Sequence, residues 1–145
     1  MPELLRYHEK VRDEWIDYNG HLSEPFYVMV FGFATTNLMD EVGLDERYRA
    51  ETNASLYTVE AHVRYLKEVG PNADLLVTTS VVSIGTKKLR LCHEMYVDDE
   101  LVATEELLAL HVKDGASYPF PEEVAKRLQQ YVTAAPDYAG RSISG

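Results

Sequence analysis

The sequence predicts an α+β domain in which an antiparallel β-sheet wraps around one long central helix. Three observations carry this expectation. Phe26, Tyr27, Val28, Met29, Val30, Phe31, Phe33 and Ala34 are apolar on nearly every side of a helical projection, and a helix without a polar face is a buried one. Tyr57, Val59, Ala61, Val63 and Tyr65 alternate strictly with Thr58, Glu60, His62 and Arg64, the period of a half-buried strand. The strands that follow are joined by short connections, which implies antiparallel neighbours.

Each element has its own reason. Residues 4–12 read as a first strand of imperfect alternation, and 13–23 as a polar loop. The helix covers about 24–42. Ser23 suits its N-cap, Glu24 its first turn, and Pro25 is tolerated where an amide has no intrahelical partner. Gly43 is placed to end it. Residues 44–54 are irregular, with room for a short helical turn. Strands follow over 55–66, 75–84, 88–97 and 101–112, broken by Gly70-Pro71-Asn72, by Gly85, and by a tight Asp98-Asp99 hairpin turn. An amphipathic helix is expected over 121–132. The domain runs through residue 133, and 134–145 reads as a loose tail.

Composition narrows the function. At 145 residues and 46% hydrophobic, the chain forms one folded domain. It has no run of 18 apolar residues, and its start, Met1-Pro2-Glu3, is acidic and unlike a signal peptide. The single cysteine, Cys92, excludes an internal disulfide, suits a reducing cytoplasm and reads as structural. A net charge of −10 argues against nucleic acid or an anionic membrane as partner, and any anionic ligand then needs a local basic patch. No metal is expected, because the histidines form no ligand-spaced cluster, and no cofactor is implied. A half-open sheet leaves an edge that a homodimer, or a dimer of dimers, would cover.

The chemistry concentrates in Trp15-Ile16-Asp17-Tyr18-Asn19-Gly20-His21-Leu22. It places a carboxylate, an amide, an imidazole and a flexible glycine just before the positive end of the buried helix. Asp17 can equally be a hydrogen-bond acceptor that shapes the loop, and Asn19 and His21 can be turn formers.

Asp17-x-x-Gly20 ahead of the helix, the Tyr57–Leu66 strand and the segment Gly85-Thr86-Lys87-Lys88-Leu89-Arg90 resemble hotdog-fold acyl-CoA thioesterases of the 4-hydroxybenzoyl-CoA type, over roughly residues 5–115. The fuller wording of residues 15–21, with Phe31-Gly32 and Tyr57-Thr58-Val59-Glu60-Ala61-His62, resembles betainyl-CoA thioesterases of carnitine breakdown and the thioesterase domain fused to some carnitine dehydrogenases. The resemblance implies that Asp17 acts on a thioester, as nucleophile or as general base for water, with Asn19 and His21 as supporting candidates. The family's usual residue at position 21 is apolar or aromatic, so His21 is a departure. Backbone N–H groups near Phe26 and Tyr27 would hold the oxyanion. Thr58, Glu60 and His62 are candidates for lining the acyl site from the partner subunit, as an alternative to a solvated or dimer-facing row of charges. Trp15, Tyr18 and Tyr57 are candidates for an aromatic cage around a quaternary ammonium. Lys87, Lys88 and Arg90 are the one dense basic cluster, which Arg64 and Lys67 could join across the sheet; it suits the CoA phosphates or, equally, an ordinary solvated edge that discourages strand pairing. Two other readings stay open: a hotdog enoyl-CoA hydratase, and a non-catalytic acyl-CoA-binding protein.

Overall fold

The computed structural model describes residues 4–144; the acidic start at Met1–Glu3 and the last residue of the tail lie outside them. The strands are β1 (Leu5–Lys10), β2 (Ala54–Tyr65), β3 (Asp74–Ile84), β4 (Lys88–Val97), β5 (Glu100–Lys113) and the short β6 (Ala116–Ser117). The helices are α1 (Glu24–Val42), α2 (Glu46–Thr52) and α3 (Glu122–Gln129). The sheet runs β1-β3-β4-β5-β2, with β6 beside β5, and every pairing is antiparallel. The expected curled sheet around one long helix is therefore present. Asp98 and Asp99, both at positive φ, make the two-residue β4–β5 turn, because paired left-handed residues match the twist of the flanking strands.

α1 begins as its sequence suggests. Ser23 is the N-cap in extended conformation, although its side chain makes no capping bond. Gly43, at φ 93°, ends the helix and donates its N–H to the Met39 carbonyl. One stripe of α1 is buried: Tyr27, Val30, Phe31, Ala34, Leu38 and Val42. It packs on residues including Val77, Leu89, Leu91, Met95 and Leu107 of the sheet. The helix is not buried all round, however. Val28, Gly32, Phe33 and Thr36 are exposed, because the sheet curls over only one side of it. α2, expected only as a possible turn, is capped by Asp45, whose Oδ1 accepts the Tyr48 N–H at 2.9 Å.

Two further expectations need correction. In β2, Thr58 pairs with Ala109 but Glu60 pairs with Leu108, so Val59 is an extra residue in a β-bulge. The bulge reverses the alternation. Leu56, Thr58 and Ala61 border the α1 side, whereas Glu60 and His62 line the outer face beside Arg141. The expected single row of Thr58, Glu60, His62 and Arg64 is thus split.

The tail is not loose as far as Arg141. Val81 and Thr133 bond through their backbones at 2.9 Å, and the chain then crosses the outer face. The Tyr138 hydroxyl donates to Glu94 Oε2 at 2.8 Å, Gly140 N–H donates to Glu106 Oε1 at 2.7 Å, and His62 Nδ1 donates to the Arg141 carbonyl at 2.8 Å. Tyr138 is buried by these contacts, an anchor that a polar, glycine-containing segment does not advertise.

Candidate active site

The loop before α1 is a closed hairpin. Ile16 bridges Leu22, the Asp17 N–H donates to the His21 carbonyl at 2.9 Å, and the Gly20 N–H donates to the Asp17 carbonyl at 3.0 Å. Gly20 sits at φ +83°, which an L side chain rarely adopts, so glycine is required for the turn and not for space. The loop is fixed from outside: Leu22 N–H donates to the Val69 carbonyl and Ser23 N–H to the Trp15 carbonyl.

Within this frame Asp17 is half-buried. Its Oδ1 accepts the Asn19 N–H at 2.9 Å and, more loosely, the His21 N–H at 3.4 Å. The loop thus uses one carboxylate oxygen as a brace, and Oδ2 has no hydrogen-bond partner among the described residues. Bracing and chemistry are compatible: the first oxygen fixes the carboxyl plane, and the second is left to act on a substrate. Asn19 contributes its backbone N–H to this brace. His21 does not turn to Asp17; its Nε2 meets Glu68 Oε2 at 2.5 Å.

Of the two amides expected for an oxyanion, one is taken. Phe26 N–H is already committed to the Ser23 carbonyl at 3.0 Å. The Tyr27 N–H makes no such bond to the Ser23 carbonyl, unlike the corresponding amides of α2 and α3, Arg49 and Ala125, which bond to Asp45 and Pro121. Pro25 has no N–H. Among the described residues, the amides at the start of α1 without a bond to the Ser23 carbonyl are therefore those of Glu24 and Tyr27.

Within one protomer the cage candidates Trp15, Tyr18 and Tyr57 stand apart. Trp15 is 3% exposed, with Phe26 stacked on it at 5.7 Å and the Arg12 guanidinium over its ring at 5.4 Å. Tyr18 stands at the loop tip, 97% exposed. Tyr57 lies eight residues before Tyr65 on β2, about 26 Å along the strand. The aromatic residues that do stand beside the loop are Tyr27 and Tyr65, in edge-to-face contact with ring centres 5.1 Å apart. They line a cavity of about 670 Å³ with Leu22, Glu24, Leu66, Lys67 and Glu68. Tyr65 was missed because it was counted as one of the core-facing residues of β2.

Further along α1 a second cleft, about 390 Å³, lies between Val28, Gly32, Thr35, Thr36 and Met39 on the helix and Thr58 and Glu105 on the sheet. Glu105 is 5% exposed, and burial pushes its carboxyl up to about 7. Behind Thr35 sits fully buried His93. The Thr35 hydroxyl donates to the Phe31 carbonyl and so accepts from His93 Nε2 at 2.8 Å; Nδ1 then accepts from the Thr79 hydroxyl at 2.8 Å. Burial of this neutral ring lowers its pKa to about 3.

The basic cluster divides. Arg90 is paired with Glu106 at 2.6 Å, and Arg64 donates to Thr104 and lies over the Tyr138 ring, both on the outer face. Lys87 and Lys88 are exposed in the β3–β4 turn, at the end of the sheet opposite the Asp17 loop. Burial pushes the Cys92 thiol up to about 11, the setting of an inert structural cysteine. Among the described residues no group of His, Cys, Asp or Glu could hold a metal, and no helix is long and apolar enough to cross a membrane.

A sheet curled over one helix, with a braced carboxylate at the helix start and an open groove beside it, defines a hotdog fold carrying a loop-borne acid. Residues 11–128 match the thioesterase-like superfamily, and the chain belongs to that family. It is 38% identical to a betainyl-CoA thioesterase of Pseudomonas aeruginosa, over 97% of this chain and 94% of that one. It is 42% identical to an L-carnitine dehydrogenase/betainyl-CoA thioesterase of Agrobacterium fabrum; that match takes 96% of this chain but 30% of the longer protein. The fold superposes on a Staphylococcus aureus protein solved in complex with CoA, with a TM-score of 0.91 at 24% identity, covering 99% and 96% of the two chains.

Proposed function

We propose that this protein hydrolyses betainyl-CoA to glycine betaine and CoA. Its place in the superfamily makes it an acyl-CoA thioester hydrolase; the likeness to the P. aeruginosa enzyme along nearly the whole of both chains carries the narrower substrate. Asp17 is the acting carboxylate. It either attacks the thioester carbon itself or removes a proton from the water that does. The carbonyl oxygen takes up negative charge at the positive end of α1, where the Glu24 and Tyr27 N–H groups have no bond to the Ser23 carbonyl. The C–S bond then breaks, CoA leaves as thiolate and takes a proton, and water supplies the carboxylate oxygen.

The CoA moiety is accommodated by a homodimer. β2 is an edge strand, and Val28, Tyr57, Val59, Tyr65 and Leu66 leave an apolar strip beside it. A two-fold axis through the middle of β2 would carry the partner's β3–β4 turn, with its paired lysines, toward this protomer's Asp17 loop. That places a basic patch at the site, which neither protomer supplies to its own Asp17. The S. aureus protein solved with CoA supports a CoA ligand on this fold. An unpaired, buried Cys92 fits an enzyme of the cytoplasm.

The test is thiol release from betainyl-, acetyl-, medium-chain and 4-hydroxybenzoyl-CoA. Fastest release from betainyl-CoA supports the reading. Faster release from another acyl group refutes the substrate, and no release from any refutes the hydrolase.

A further inference from the structure

The betainyl reading leaves open what receives the cation, since the expected cage of Trp15, Tyr18 and Tyr57 is dispersed within one protomer. The register of β2 on β5 offers a replacement. Tyr65 pairs with Ala103 and Val63 with Glu105, so Glu105 is the diagonal neighbour of Tyr65; Glu105 lines the cleft along α1, and Tyr65 lines the cavity beside the Asp17 loop. Diagonal neighbours lie about 7–8 Å apart, within reach of long side chains.

Glu105 is the one group in the groove whose placement the fold itself does not explain. It is 95% removed from solvent, because only 5% remains exposed, yet it has no ion pair or hydrogen bond among the described residues. Its nearest titratable cross-strand neighbour, His93, has both ring nitrogens committed to Thr35 and Thr79. Its oxygens reach the open groove while the rest of the side chain is covered, and a largely desolvated carboxylate without a protein partner is a natural counter-ion for a cation bound there. The surrounding wall is the right kind. Val28, Met39, Leu56 and Leu107 supply apolar surface, and Gly32 leaves open space where a side chain would stand. A methylated ammonium has no N–H to satisfy, so apolar walls, an aromatic face and one carboxylate suit it. Tyr65 supplies the face. It is 43% exposed, its hydroxyl lies within electrostatic reach of both Glu24 and Glu105, and its ring contacts Tyr27 beside the Asp17 loop.

We propose that Tyr65 and Glu105 form the subsite that recognises the quaternary ammonium of the acyl group, Tyr65 through its ring and Glu105 as the counter-ion. This rests on the betainyl-CoA reading and names the residues that confer it.

The experiment compares betainyl-CoA with 3,3-dimethylbutyryl-CoA, its neutral isostere, by thiol release; the readout is the ratio of the two kcat/KM values. Glu105→Gln, nearly isosteric, lowers that ratio by at least about tenfold, as loss of one partner of a desolvated charge pair does. Tyr65→Leu lowers it as well, whereas Tyr65→Phe, which keeps the ring, preserves it. Circular dichroism confirms that each variant is folded, and Tyr65→Phe is the control should Tyr65→Leu be unstable. An unchanged ratio in Glu105→Gln overturns the proposal, as does an equal loss on both substrates, which would make Glu105 part of the general machinery. A wild-type enzyme that turns over the isostere but not betainyl-CoA instead refutes the substrate reading beneath it.

Discussion

Glu105→Gln also makes a prediction about stability that is independent of any substrate. Burial raises the folded-state pKa of Glu105 from 4.5 to about 7. The unfolded chain restores the ordinary value. Below pH 4.5 both states hold the proton, and Glu105 carries no penalty. As pH rises from 4.5 to 7 the unfolded state loses the proton first, so the native state becomes progressively less stable. Above about pH 7 the full penalty is present. Each pH unit of separation is worth about 1.4 kcal/mol, so the penalty amounts to roughly 3 kcal/mol. Glutamine has nearly the same shape and no charge to bury. Glu105→Gln is therefore expected to match wild type at pH 4 and to exceed it by about 3 kcal/mol at pH 8, or roughly 10 °C in Tm. The assay is urea unfolding of both proteins at half-unit intervals between pH 4 and 8. The difference between them matters, because every other titrating group cancels. A difference that does not change with pH would refute the reasoning, since it would show that Glu105 keeps an ordinary pKa in the folded protein.

Further predictions follow from neighbouring features. His93 stays neutral in the folded state, so its contribution to stability is complete above pH 6.5 and is lost as pH falls toward 3; ring nitrogen NMR shifts should show an Nε2–H tautomer that does not titrate between pH 5 and 8. Gly20→Ala should destabilise the domain by about 1 kcal/mol without any steric clash, through the left-handed backbone alone, as read by denaturant midpoint. Tyr138→Ala should release the tail from the outer face and make buried Cys92 accessible; its labelling by a thiol reagent should accelerate by at least about tenfold, and an unchanged rate would show that the tail is not what shields it.

The fold was largely legible because its signals are local and redundant. The run from Phe26 to Ala34, the glycine at 43 and the paired aspartates at 98 and 99 each demand one structure, and each forms it. The bulge at Val59 left no such mark. Apolar residues follow at 61, 63 and 65, so the written alternation continues while the pairing slips by one. That slip moved Glu60 and His62 away from the groove and left Thr58 in it. At the candidate site, the loop that carries Asp17 was legible because short-range turn chemistry specifies it. The aromatic residues were not, because proximity in sequence to the motif says little about which ring faces it. Trp15, two residues from Asp17, is covered by Phe26 and Arg12; Tyr65, nearly fifty residues away, is beside the loop. Glu105 was overlooked for a related reason. Acids in a strand ordinarily mark the wet face, and only the pairing with Val63 reveals that Glu105, unlike its neighbour Glu106, points inward.

The central claim is that Asp17 performs the hydrolysis of betainyl-CoA. The most direct test is thiol release from betainyl-CoA by wild type and Asp17→Asn, with the unfolding midpoint of each measured alongside. Asparagine retains an oxygen that can accept the loop N–H groups, so the fold should be nearly unchanged. Turnover should fall by about 10²–10⁴-fold, the ordinary worth of a catalytic acid–base group. A variant that is equally stable and still hydrolyses betainyl-CoA within a few-fold of wild type would contradict the account and reduce Asp17 to a brace for the loop.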